Sequence, residues 1–136
     1  MKQTITGSFD VTLAPQTDEP GVSDPMIGRL SLDKRFYGDL DATSRGMMLG
    51  VRSAVPGSAG YVAMERVVGT LDGKSGSFVL QHSSTMTRGE ATQSVTVVPD
   101  SGTDGLAGLC GAMTIANKDG KHTYHFAYWF DTTPQP

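Results

Sequence analysis

The stretch 61–82, YVAMERVVGTLDGKSGSFVLQH, decides the fold. Tyr61 to Val68 is rich in β-branched and aromatic residues, which suit a pleated, half-buried surface. Phe78, Val79 and Leu80 form a return run, with Asp72-Gly73 and Gly76 between the two. Asp-Gly predicts a tight turn, because both central residues of a type I′ turn need positive φ. The stretch therefore reads as a β-hairpin. On its first strand Tyr61, Ala63, Glu65 and Val67 share one face, and Val62, Met64, Arg66 and Val68 the other. Glu65 and Arg66 thus point to opposite sides, and one of these charges faces the interior or an interface. On the return strand Phe78, Leu80 and His82 share a face, so His82 continues an apolar row.

Outward from the hairpin the same period recurs. Toward the N-terminus, Ile5, Phe9, Val11 and Leu13 alternate with Thr4, Thr6, Ser8, Asp10 and Thr12, the pattern of a half-buried strand. The segment 14–25 reads as a loop with three prolines. Leu30, Leu32 and Phe36 oppose Arg29, Ser31, Asp33 and Arg35 on a second strand. A third strand runs from Gly38 to Val51, with a break expected near Ser44-Arg45-Gly46. Met47-Met48 reads as soft core filler or as a pliable pocket wall.

Beyond the hairpin, Thr92 to Val98 is a strand ended by Pro99, and 100–105 is a polar turn or a single helical turn. Leu106 to Ala116 is a strand of small residues, where internal glycines mark a bulge, a barrel corner or a close approach. Lys118-Asp119-Gly120 turns the chain into the last strand. There His122, Tyr124, Phe126, Tyr128 and Phe130 line one face, and Thr123, His125, Ala127 and Trp129 the other. Rings on both faces predict an interior on one side and a subunit contact on the other. About eight strands with short connections predict an all-β fold, a sandwich or a closed antiparallel barrel. Eight strands closed on themselves leave an interior that side chains fill or that holds one small ligand.

The 136 residues fit a single domain spanning 1–136. Seventeen glycines and seven prolines suit many turns. Net charge is −3, with no basic stripe interleaved with aromatics, which argues against a nucleic-acid partner. Cys110 is the lone cysteine, so no internal disulfide forms. MKQTITGSFD lacks a signal-peptide core, and no apolar run approaches the roughly 20 residues of a membrane span. The expectation is a cytoplasmic protein with no membrane partner.

Nucleotide-binding loops and G-x-S-x-G are absent from the sequence. The spacing of His82, His122, His125 and Cys110 matches no zinc pattern, so neither a metal nor a cofactor is expected. What remains is a pocket of rings with a few polar groups, the usual form of a small-molecule site. The candidate ligand-binding residues are Tyr61, Glu65, Gln81, His82, Tyr124 and Tyr128. The bland alternatives are a solvated strand glutamate and a satisfied core or rim histidine. Glu65→Gln is expected to change ligand binding and leave folding nearly intact.

The blocks FYGDLDATSRGMMLG (36–50), GYVAMERVVGTLDGKSGSFVLQHSSTM (60–86), VTVVPDSGTDGLAGLCGAMTI (95–115) and KHTYHFAYWF (121–130) resemble the bacterial family called domain of unknown function 3224. The likeness covers nearly the whole chain in order. It implies an eight-stranded barrel similar to plant allene oxide cyclase, with self-association. A more distant likeness to allene oxide cyclases and dirigent proteins lies in 33–40, DKRFYGDL, and in Ser101-Gly102-Thr103 followed by Leu106, Ala107 and Gly108. Allene oxide cyclases carry an acidic residue and an asparagine on their first strand. The matching stretch here, Gly7-Ser8-Phe9-Asp10-Val11, offers only Asp10, so the fold carries over and the cyclase activity does not. Two readings follow. The first is a barrel that binds a small, partly apolar molecule; as an enzyme it would be a cyclase or isomerase. The second is a non-enzymatic homo-oligomer with a filled barrel.

Overall fold

The computed structural model describes residues 2–17 and 24–131. It contains eight strands: β1 (Gln3–Pro15), β2 (Gly28–Tyr37), β3 (Leu40–Arg52), β4 (Ala59–Leu71), β5 (Lys74–Thr87), β6 (Glu90–Val97), β7 (Leu109–Lys118) and β8 (Lys121–Phe130). Each pairs antiparallel with the next, and β8 returns to β1 to close the barrel. Closure leaves the sheet without a free edge. The tips of three hairpins carry consecutive positive φ angles: Asp72-Gly73, Arg88-Gly89 and Asp119-Gly120. The central hairpin is the expected one, with Leu71 opposite Lys74 across its two-residue turn. Residues 18–23 of the expected loop lie outside the described residues.

Three details differ from expectation. β3 runs unbroken through Gly46. A Cβ there would meet the Met64 carbonyl and lie 2.7 Å from Glu65 Cα, so this glycine lets β3 and β4 close tightly instead of interrupting a strand. Leu106 precedes β7 and sits in a 3-10 turn, Asp104–Leu106, where it is fully buried. The alternating face of β2 includes Lys34 as well as Leu32 and Phe36; all three are buried.

The interior divides into two halves. At one, where β1 begins and β8 ends, Phe36, Leu40, Leu71, Phe78, Leu109, Phe126 and Tyr128 are each no more than 1% exposed. Phe78 stacks on Phe126 at 6.0 Å, and Tyr128 lies 5.3 Å from the Phe126 ring. At the other half Gly46, Met48 and Gly50 of β3 are only partly buried, and Leu13 and Met86 are exposed. The filled barrel interior of the second reading therefore holds for one half alone.

Candidate functional site

Between the halves lies a layer of four buried polar side chains, one from each of four consecutive strands: Lys34, Ser44, Glu65 and His82. Alternation turns all four inward, and the tight β3–β4 approach at Gly46 lies directly across from Glu65. Glu65 is the hub. Ser44 Oγ donates to its Oε1 at 2.8 Å. Lys34 Nζ donates to its Oε2 at 2.8 Å, and His82 Nε2 lies 2.5 Å from the same oxygen. Lys34 Nζ also stands 4.9 Å from the Phe9 ring centroid and 5.7 Å from that of Phe36, within reach of a cation–π attraction.

Burial pushes the Glu65 carboxyl up, but the His82 hydrogen bond and the Lys34 charge outweigh it and hold the group below its ordinary value of 4.5. Glu65 is therefore an ionised acceptor with three donors on two oxygens. Removing one partner of such a buried pair costs about 3–5 kcal/mol. The expectation that Glu65→Gln would spare folding is thus revised, because the amide would leave the Lys34 ammonium buried without an anion.

Beyond this layer the open half holds a pocket of about 700 Å³. Leu13, Leu30, Met48, Tyr61, Ser84 and Met86 are among its walls. None of the four layer residues lines the pocket; Leu32, Gly46 and Ala63 stand between its walls and the polar layer on β2, β3 and β4. On β4 the inward positions run Tyr61, Ala63, Glu65; on β5 they run Ser84, His82. Each inward step is about 6.6 Å along a strand. Burial raises the Tyr61 hydroxyl, the Glu65 charge adds to this, and a hydrogen bond with Ser84 opposes it. Tyr61 is accordingly a neutral donor and acceptor at the pocket wall.

The structure brings together Tyr61, Glu65 and His82 from the expected set and separates the rest. Gln81 is exposed on the outer surface; the alternation that turns His82 inward turns its neighbour out. Tyr124 and Tyr128 face inward but belong to the packed half. Tyr124 Oη donates to the Tyr37 carbonyl at 2.8 Å and fills the space a Cβ on Gly7 would need. Tyr128 Oη donates to Gln3 Oε1 at 3.2 Å. Lys34 and Ser44 are additions. Their signal was parity: Lys34 falls between Leu32 and Phe36, and Ser44 follows Leu40 and Ala42 at steps of two. Among the described residues no three of His, Cys, Asp and Glu are grouped to hold a metal, and no helix is long and apolar enough to cross a membrane.

Comparison with known proteins agrees with this architecture. No curated protein matches the chain. A crystal structure of a protein with unknown function from the DUF3224 family of Shewanella oneidensis MR-1 is 46% identical. It superposes with a TM-score of 0.87, covering 96% of this chain and 99% of that one. The family model described as protein of unknown function (DUF3224) matches residues 5–128. The chain belongs to the DUF3224 family.

Proposed function

We propose that the barrel binds a small, partly apolar molecule in its open half, with the Lys34-Ser44-Glu65-His82 layer as the polar floor. One observation supports this most: a pocket of about 700 Å³ opens at one end of the barrel, and its wall residue Ser84 is the next inward position on β5 from His82 of a buried ion-pair network. The volume is in the range of small-molecule sites, which combine apolar walls with a few fixed polar groups. An ion pair is a poor way to stabilise a core, because well-packed apolar residues in its place are often neutral or better. A role in recognition accounts for its presence in the interior. A cyclisation or isomerisation in such a pocket would use the walls to hold a reactive conformer.

Native mass spectrometry of the protein purified from cells, with solvent extraction of what it carries, tests the reading. The expected result is a stoichiometric small molecule that is lost from a folded Met48→Trp variant, whose larger side chain occupies the pocket. No bound mass on wild type, or a mass retained in that variant, overturns it. Turnover, where it occurs, appears in the same assay as a second extracted compound.

Self-association is a second reading, favoured by the outer face of β3 and β4. Met47, Leu49, Val62 and Met64 are all exposed there, and Met47-Met64 and Leu49-Val62 are direct cross-strand pairs. A contiguous exposed apolar patch of this kind marks interaction surfaces. A Met64→Glu variant that stays folded should show a smaller mass by light scattering than wild type; two monomeric proteins would exclude this face.

A further inference from the structure

We propose that the pocket of the open half takes an amphipathic carboxylate, with its apolar chain against Leu13, Leu30, Met48 and Met86 and its anionic end at Arg52. The inference rests on the binding reading above and narrows it to a ligand class.

Among the described residues the pocket wall carries one charge, Arg52; its other polar side chains are Tyr61, Ser84 and Thr85. Arg52 ends β3 and follows Met48 and Gly50 at steps of two, so it continues the inward row where the barrel opens. No carboxylate of the described residues forms an ion pair with it. Asp24, beside the wall residues Pro25 and Met26, receives the Met26 amide at 2.9 Å and is not itself in the wall. The charges deeper in the barrel are already matched, since Lys34 and Glu65 pair at 2.8 Å. An apolar cavity edged by a single cation complements an anion and disfavours a cation. The guanidinium stays charged at any working pH, and its planar fork matches a carboxylate.

Two glycines leave room between the apolar walls and this cation. Gly28 and Gly50 are cross-strand partners, and both line the pocket. At Gly46 the fold forces glycine, because a Cβ there would collide with the Met64 carbonyl. Nothing comparable holds at the pocket pair. A Cβ on Gly28 would come no closer than 3.7 Å, to the Gly50 carbonyl, and one on Gly50 no closer than 3.6 Å, to Tyr61 Cβ. Neither residue has a positive φ. Backbone and packing therefore tolerate a side chain at both positions, and its absence widens the cavity between Met48 and Arg52. The rest of the wall suits an apolar chain. Met26, Met48 and Met86 line the pocket, and thioethers are pliable enough to follow a flexible body.

Three probes with the same eight-carbon chain separate charge recognition from apolar fit: octanoate, 1-octanol and octylammonium. Titration calorimetry on wild type should rank them in that order. Octanoate should bind about fivefold tighter than 1-octanol, the upper value of an exposed ion pair, and the gap should narrow at high salt. In Arg52→Gln, at an exposed position, octanoate and 1-octanol should fall within about twofold of each other. Gly50→Leu puts a side chain where the backbone accepts one and should weaken all three probes about tenfold by taking the space of the chain. Should that variant not fold, the methyl resonances of Met48 and Met86 in labelled wild type locate the chain instead, and should move on adding octanoate. Equal affinities of octanoate and 1-octanol on wild type, or a preference that survives in Arg52→Gln, overturn the anionic end at Arg52 and leave the binding reading standing. Undiminished binding in Gly50→Leu, or Met48 and Met86 signals indifferent to octanoate, removes the chain from this pocket and overturns the proposal. Failure of all three probes to bind overturns the ligand class, and the extraction experiment then judges the binding reading separately.

Discussion

The two halves of the barrel are built from the same strands and differ in what those strands turn inward. On β3, Leu40 and Ala42 are buried in the packed half, whereas Gly46, Met48 and Gly50 toward the other end are only partly covered. On β5, Phe78 and Leu80 are buried among apolar neighbours, then His82 enters the polar layer, and Ser84 and Met86 line the pocket. The contrast teaches that one continuous strand can pack solidly at one end and line a cavity at the other. The packed half supplies the apolar burial that holds the barrel closed. This leaves the open half free to carry a cavity and an ion-pair floor, neither of which a stable core needs.

The largest effect that would break or sharpen this contrast belongs to the packed half. Phe126→Ala removes a fully buried ring that contacts Phe78 and Tyr128, and should lower unfolding free energy by about 3–5 kcal/mol, read by urea titration. Glu65→Gln should follow at about 3 kcal/mol, the low end for a broken buried pair, since the amide still offers an oxygen to Ser44. A loss below about 1 kcal/mol would mean the floor is wetter than its burial indicates. The same variant changes the pH profile. A depressed folded pKa means that the unfolded chain binds the proton more readily, so Glu65 contributes stability above its ordinary value of 4.5. That contribution is lost as pH falls through the lower folded value. Wild type should therefore lose stability across this acid window more steeply than Glu65→Gln; parallel profiles would contradict the ionised hub. The smallest effect belongs to the pocket rim. Met86→Ala, at an exposed position, should change stability by about 0.5 kcal/mol or less. An effect as large as that of Phe126→Ala would erase the distinction between the halves.

Much of the barrel was legible because strand period and turn chemistry are local. Parity placed Glu65 opposite Arg66 and put His82 in line with Leu80, and Asp72-Gly73 set the hairpin. The floor was half legible. Lys34 sits in the charged run Asp33-Lys34-Arg35 and looks solvated, although its parity with Leu32 and Phe36 turns it inward. Gln81 stands next to His82 in sequence, yet alternation excludes it from the same face. For Tyr124 and Tyr128 the shared face was readable, but the end of the barrel it lines was not. That depends on the stagger between strands far apart in sequence, which closure fixes globally. Gly46 looked like a strand break because a glycine required for close approach of two backbones resembles one that ends a strand.

The claim that the polar floor serves the ligand and not the fold is tested most directly by removing the whole layer at once. In Lys34→Met/Glu65→Leu/His82→Phe no charge is left unpaired, and apolar replacement of a buried ion pair is often neutral or stabilising. Urea unfolding and native mass spectrometry on this triple variant should show stability near that of wild type and no bound small molecule. A variant that unfolds, or one that still carries the wild-type ligand at full occupancy, would contradict the account.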